Sequence, residues 1–471
     1  MQVVKNYLYN AAYQIFVLLI PLITTPYLAR VLGPTGVGIN AYTNSIIQYF
    51  ILFGSIGVNL YGNRQIAFVR DNKDKITKTF YEIFLMRIIT ITLAYIVFLI
   101  FLLINGSYHI YYLAQSVSII AAAFDISWFF MGVENFGVTV LRNFVVKIVT
   151  LISIFIFVKS FNDLSVYILI LSLSLLIGNM TLFPNLRRYI GKIDFKSLKI
   201  WQHLKPSMAL FIPQIATQIY LVVNKTMLGS MTSVQYAGYF DQSDKMIKVV
   251  LAIVTATGTV MLPHVANAFM KGEVEKTKKF LYNSFSFVTS LSVPMMFGIA
   301  AISKKFVPLF FTDRFLAVVP LMMIESVVIL LIAWSNALGT QYLLPTNQNG
   351  AFTKSVVLGA VVNIVVNIPL IMLWGAVGAT VSTVLSELAV TGYQLYVLRR
   401  QISYRSLFTD TGKYLLAGAM MFIVIFVLDG RLANSWLMLI VEVIIGILIY
   451  FILLVVMKAK IIKDAKVMLK R

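Results

Sequence analysis

Apolar runs of about 20 residues recur from one end of this chain to the other, separated by short polar connections. A hydrocarbon slab offers no partner to an unpaired backbone amide or carbonyl, so each run must satisfy its own hydrogen bonds as a helix. The composition agrees: of 471 residues, 59% are hydrophobic and 12% charged, and the mean hydropathy is +0.87. The expectation is an all-α polytopic membrane protein with about fourteen transmembrane helices.

Spans are expected at 10–32, 37–61, 80–104, 110–131, 138–158 and 164–183, and again at 207–229, 236–262, 281–302, 316–339, 352–373, 376–398, 414–428 and 434–457. The first run follows Lys5 but is too long for a cleavable signal, and comparable runs follow it. A basic connector, 184–206, separates an amino-terminal lobe of six spans (1–183) from a second lobe of six (207–400). Residues 401–471 add two helices and a basic tail.

Lys and Arg number 39 against 18 Asp and Glu, a net charge of +21. With the amino terminus in the cytoplasm, 28 of these bases fall in inside connections and tails and six outside: Arg30, Lys159, Lys304, Lys305, Arg314 and Arg431. Both termini are therefore expected to be cytoplasmic. Base confined to short loops sets topology and attracts anionic membrane lipids. It does not form the basic, aromatic face of a nucleic-acid binder, so no nucleic-acid partner is expected.

With no cysteine, the chain has no disulfide, no thiolate metal site and no Cys nucleophile. His109, His203 and His264 lack ligand spacing and are read as incidental. GPTGVG, from residue 33 to 38, lacks the Gly-Lys-Ser/Thr ending of a phosphate loop and is read as a turn. The longest outer loop, 303–315, is too short for a catalytic domain. A transporter without cofactor or metal is expected rather than an enzyme.

Ionisable and polar groups inside spans mark the functional interior of such a protein. The stretch PLITTPYLARVLGPTGVGINAY, residues 21–42, reads as a helical hairpin with Arg30 at its tip. Lys225 holds the matching place on the seventh span. On the eighth, Asp241, Lys245, Lys248, Thr255 and Thr259 share one helical face; Asn40, Asn44, Gln48, Ser55 and Asn59 do so on the second, and Gln214, Gln218 and Lys225 on the seventh. These stripes favour a shared hydrated cavity, although such positions also suit snorkelling side chains and interhelical hydrogen bonds.

Arg87, Asp125 and Lys147 lie at comparable depth in the third, fourth and fifth spans, where a bridged charge cluster is expected. Its role would be to neutralise buried charge or to meet substrate. Glu325, Glu387 and Glu442 are the remaining intramembrane acids, and Glu325 or Glu387 is a candidate for coupling to Na⁺ or H⁺. The two halves also begin alike: LARVLG leads through Gly38 into INAYTN, and NKTMLG through Gly238 into YFDQSD, the pattern of parallel repeats.

KNYLYN near the amino terminus, the PYLARVLGPTGVG turn, DISWFFMGVENF at 125–136 with Arg142 and Lys147 after it, and LWGAVGATVSTVLSE at 373–387 together point to a family. In them the chain resembles the bacterial polysaccharide repeat-unit flippases of the MOP exporter superfamily, which also holds multidrug extrusion transporters and lipid II flippases. The resemblance spans essentially the whole chain. It implies two six-helix lobes around a central cavity plus two carboxy-terminal helices, a monomer in the bacterial cytoplasmic membrane, and a polyprenyl-linked oligosaccharide as substrate.

A cationic, hydrated interior suits a phosphate-bearing headgroup that must leave water. Arg30, Lys225, Lys245 and Lys248 are the cations expected to meet it, beside Asp241, with Asn44, Gln48 and Gln218 contacting sugar. Capsule, exopolysaccharide, O-antigen and teichoic-acid units all remain open as cargo. Two alternatives stay open as well: a cation-coupled multidrug exporter of the same architecture, and a membrane glycan polymerase or ligase.

Overall fold

The structure is a computed structural model that describes residues 2–462, and the side chains of all of these but 2–19, 136, 212–214, 216–217, 220–221 and 257–260. Among the described residues every regular element is helical. The chain divides into two units, Met1–Gly229 and Ser230–Arg471.

The first unit contains α1 (Gln2–Ser55), α2 (Val58–Val69), α3 (Lys73–Ile104), α4 (His109–Ala123), α5 (Ser127–Gly132), α6 (Phe136–Phe157), α7 (Leu164–Met180) and the one-turn α8 (Phe183–Leu186). After the basic connector, α9 (Leu204–Met231) follows. α1 is two helices joined at Gly33, whose φ of 65° and ψ of −177° belong to a region that only glycine enters without strain. Pro34 then opens the next helix with its φ already set. Both sides of the break meet the same connection: the Tyr27 hydroxyl donates to the Val158 carbonyl at 2.6 Å, and a Cβ at Gly36 would lie 3.4 Å from the Phe161 ring. The expected turn is thus a break in helical geometry made on a single residue.

α3 starts where the Asn72 side chain accepts from the amides of Asp74 and Lys75, two donors that the first turn cannot satisfy. α5 is a buried wedge. Trp128 stacks on Phe80 with ring centres 5.7 Å apart, and Phe129 meets Phe80 edge-on at 5.3 Å. Trp128 fits because α2 presents Gly62, where a Cβ would come within 2.5 Å of the indole. The DISWFFMGVENF stretch is therefore first a packing device, fastening α2 and α3 around fully buried aromatics.

The second unit contains α10 (Val234–Met270), α11 (Val274–Phe310), α12 (Val318–Glu325), α13 (Val327–Ser335), a π turn at Asn336–Leu343, α14 (Asn349–Trp374), α15 (Ala376–Leu398), the short α16 (Tyr404–Leu407), α17 (Thr411–Asp429) and α18 (Trp436–Val456). α14 and α15 cross closely at Gly378, where a Cβ would stand 1.9 Å from the Leu370 carbonyl oxygen. α17 and α18 pack on α11 through Val293, Met296, Met421, Ile425 and Leu454. α11 runs on to Phe310, so Lys304 and Lys305, expected in an outer loop, are helical.

Ten helical stretches among the described residues are long and apolar enough to cross a membrane, or eleven with the bent α10. One of the ten, Ile20–Val69, contains the Gly33 break. α9 and α15 match the others in length but carry more polar side chains. All fourteen segments expected from the sequence lie largely on helix. Their outer faces are apolar, as on α18, where Leu437, Ile440, Ile444, Ile447 and Phe451 are exposed.

The division between units falls at Gly229 rather than within the 184–206 connector. α9, expected to open the second lobe, packs with the first unit: Ser207 Oγ donates to the Ile56 carbonyl at 2.6 Å, and Thr226 Oγ1 donates to Ser45 Oγ at 2.8 Å. The last two helices belong to the second unit.

Candidate functional site

Where α1 and α2 face α9, the first unit opens a polar cleft of about 250 Å³. Gln48, Ser55, Asn59 and Gln218 supply its polar wall, and Leu52, Phe211 and Val222 its apolar one. Gln48 and Ser55, seven residues apart, share a face of α1, and the left-handed Ile56 and Gly57 break the helix before Asn59 on α2. The cleft thus joins two of the expected stripes. Gln214 of the same stripe lies outside the described side chains, as does Thr259 of the eighth-span stripe.

Other members of the second-span stripe do different work. The Gln115 side chain donates to the Asn40 carbonyl and side chain at 3.3 and 3.2 Å, tying α4 to α1. Asn44 is exposed and accepts from Gln48 Nε2 at 3.4 Å. Arg30, at the Gly33 turn, is exposed and donates from Nη1 to the Pro26 carbonyl at 2.9 Å. Lys225 is half-buried on α9.

Behind the cleft lies Arg87, 1% exposed. Its Nη1 donates to Asn59 Oδ1 at 2.6 Å and its Nε to the Ala122 carbonyl at 2.6 Å, and Asp125 stands 3.5 Å from Nη2. Asp125 Oδ1 also accepts from the Ser127 amide at 3.0 Å, at the start of α5. This guanidinium has a carboxylate and two neutral acceptors, the condition under which a buried charge is tolerated. Lys147, expected beside the pair from its depth, is exposed on α6 and makes no ion pair with either residue. Depth along a helix sets height, not the direction a side chain points.

A second polar network lies where the connector meets α3. Glu82 Oε2 is 2.9 Å from His203 Nε2, and the other ring nitrogen is 2.7 Å from the Tyr61 hydroxyl. Glu82 also accepts from the Lys199 amide at 2.7 Å and from Gln202 Nε2 at 2.9 Å. His203 is therefore a buried structural group and not incidental. No spacing rule could have found it, because its partner stands 121 residues away.

In the second unit, the polar stripe on α10 is charge-balanced. Asp241, 4% exposed, pairs with Lys245 at 2.5 Å, and Asp244 pairs with Lys248 at 2.7 Å. Both lysines keep about two-fifths of their side chains exposed, at 39% and 46%. The interior is thus less cationic here than a count of lysines implies. Asp244 was not among the expected site residues, yet it has the same i,i+4 spacing to Lys248 that Asp241 has to Lys245, a signal present in the sequence. Glu325 is buried and accepts from the Ser243 hydroxyl, and Glu387 is buried on α15.

This assembly of apolar helices enclosing polar stripes is that of a multi-pass membrane transporter. Its fold is shared with a solved "Lipid II flippase MurJ, inward closed conformation", at a TM-score of 0.80 and 16% identity over 95% of this chain and 98% of that one. An inward-facing multidrug resistance MATE family transporter of the MOP superfamily matches at a TM-score of 0.62 and 11% identity, over 83% of this chain and 98% of that one. By sequence, the chain is 24% identical to a "Putative O-antigen transporter" of Escherichia coli (strain K12) across 84% of its own length and 96% of the relative's. The family model described as "Polysaccharide biosynthesis protein" matches residues 3–269, more than half the chain. The protein belongs to that family.

Proposed function

We propose that this chain is a flippase that carries polyprenyl-(pyro)phosphate-linked oligosaccharide repeat units from the inner to the outer leaflet of the cytoplasmic membrane by alternating access. The observation that carries the reading is the likeness to a protein named "Putative O-antigen transporter" over nearly that protein's whole length, in a family named for polysaccharide biosynthesis. The physical chemistry agrees. Sugar hydroxyls need hydrogen-bonding partners once they leave water, and the cleft offers amides and a hydroxyl at Gln48, Gln218, Asn59 and Ser55. A headgroup phosphate needs positive charge, and Lys225, half-buried on the same helix as Gln218, is the base proposed to meet it in the first unit. The lipid tail stays in the bilayer, and no covalent chemistry is involved.

Both termini lie in the cytoplasm in this reading, as the excess of inside base requires. The deciding experiment identifies, by mass spectrometry, the lipid extract of cells depleted of the protein. Accumulation of a polyprenyl-linked oligosaccharide on the cytoplasmic side is the expected result, and its composition names the glycan. Unchanged lipid-linked glycan together with altered drug sensitivity would sink the reading in favour of a multidrug exporter.

A further inference from the structure

Where α11, α17 and α18 pack together, one ammonium is set between two carboxyl groups. Lys305 Nζ bonds to Glu442 Oε1 and lies 3.7 Å from Asp429 Oδ1. The site is sealed: Lys305 is 4% exposed, Asp429 8% and Glu442 0%. Two carboxylates and one ammonium leave a net charge of −1. Two oxygens, Asp429 Oδ1 and Glu442 Oε2, are buried with no hydrogen-bond partner. Lys304 and Arg431, on α11 and just beyond α17, are the neighbouring bases, but both are exposed. Solvent screens them, so the excess negative charge stays with the buried trio.

An uncompensated buried charge is costly, and two carboxyls competing for one cation are relieved when one of them is neutral. A metal ion fits poorly here. It would need several oxygen ligands and would sit against an ammonium, and no three His, Cys, Asp or Glu groups converge among the described residues. A proton meets both demands: it brings the trio to neutrality and turns one orphaned acceptor into a donor.

We propose that Asp429, Lys305 and Glu442 form a proton-binding site in which the two carboxyls share one proton as well as the ammonium. The inference does not depend on the proposed cargo, because its readouts need no transport. In the purified full chain at neutral pH, infrared spectra in H₂O and D₂O, taken as wild type minus variant so that Glu325 and Glu387 cancel, are expected to show the carbonyl stretch of one protonated carboxylic acid from this site. Either Asp429→Asn or Glu442→Gln alone removes the need for the proton, since the surviving carboxylate pairs with Lys305. The band is therefore lost in both single variants, and Lys305→Met increases it.

A band absent from the wild type, or lost in only one variant, would overturn the shared-proton site, as would a rise in melting temperature on adding Na⁺ that both variants abolish. Thermal unfolding gives a second measure if one variant folds poorly. The folded wild type holds a proton that the unfolded chain releases near neutral pH, so its folded-to-unfolded ratio falls as pH rises, by up to about tenfold per pH unit. In whichever single variant folds, that fall is absent; a fall that persists would overturn the proposal.

Discussion

Asn59 Oδ1 accepts from Arg87 Nη1 at 2.6 Å, so a guanidinium sealed within the first unit ends at the wall of the polar cleft. Arg87 thus serves packing and site at once: one face closes the Asp125 pair, and the other fixes the amide that a ligand in the cleft would meet. Replacing Asn59 by Ala removes the acceptor and leaves a buried, charged donor short of a partner. The expected loss is about 1.5–3 kcal/mol, read as a fall in melting temperature in detergent. Asn59→Asp should fold, because it retains an acceptor.

Gln48 and Gln218 line the cleft, and among the described residues the Gln48 amide donates only to the exposed Asn44 side chain at 3.4 Å. Gln48→Ala and Gln218→Ala are expected to slow the flipping of a labelled lipid-linked oligosaccharide in proteoliposomes about two- to tenfold each, the worth of one hydrogen bond. Melting temperatures should stay near wild type. Unchanged transport in the double variant would remove the cleft from the cargo path.

Lys245 is held by Asp241, and an anionic headgroup must compete with that carboxylate. Asp241→Asn is expected to tighten binding of an anionic lipid-linked substrate, and Lys245→Met to weaken it, each by several-fold and less so at high salt. Binding titrations at two ionic strengths test both signs. If both substitutions weaken binding equally, the pair acts as a structural unit and not as a headgroup contact.

The absence of cysteine provides a clean background for topology. Asp71 and Gly106 flank the two ends of α3, Asp71 is exposed, and nothing lies within 4 Å of a Cβ at Gly106. A membrane-impermeant thiol reagent is expected to label Gly106→Cys in intact cells and Asp71→Cys only after permeabilisation. The reverse pattern would invert the proposed orientation.

Much of the architecture was legible because lipid leaves so few options. An apolar run of membrane length must be a helix, and a Gly-Pro pair between two such runs must be a turn. Pairing was harder to read. Lys305 stood near the end of an expected span and was counted with the loops, yet three helices bury it beside Glu442. Lys147 shared a depth with Arg87 and Asp125 but projects elsewhere, because residues per turn, not distance along the axis, decide azimuth. His203 had no motif at all. Its contacts exist only once the connector folds back on α3, and no local pattern encodes that.

The Gly33 break also bears on how the chain can change length. A break made on one residue leaves little slack: a residue inserted in the helix between Gly33 and Gln48 would rotate the two ends of that segment by about 100° relative to one another, and so turn Gln48 and Ser55 away from the cleft or strain the Gly33 turn. The connector from 184 to 206 is largely irregular and exposed, and can absorb extra residues away from its Glu82 contacts. Insertions are therefore expected to be tolerated in that connector and to be costly next to the turn.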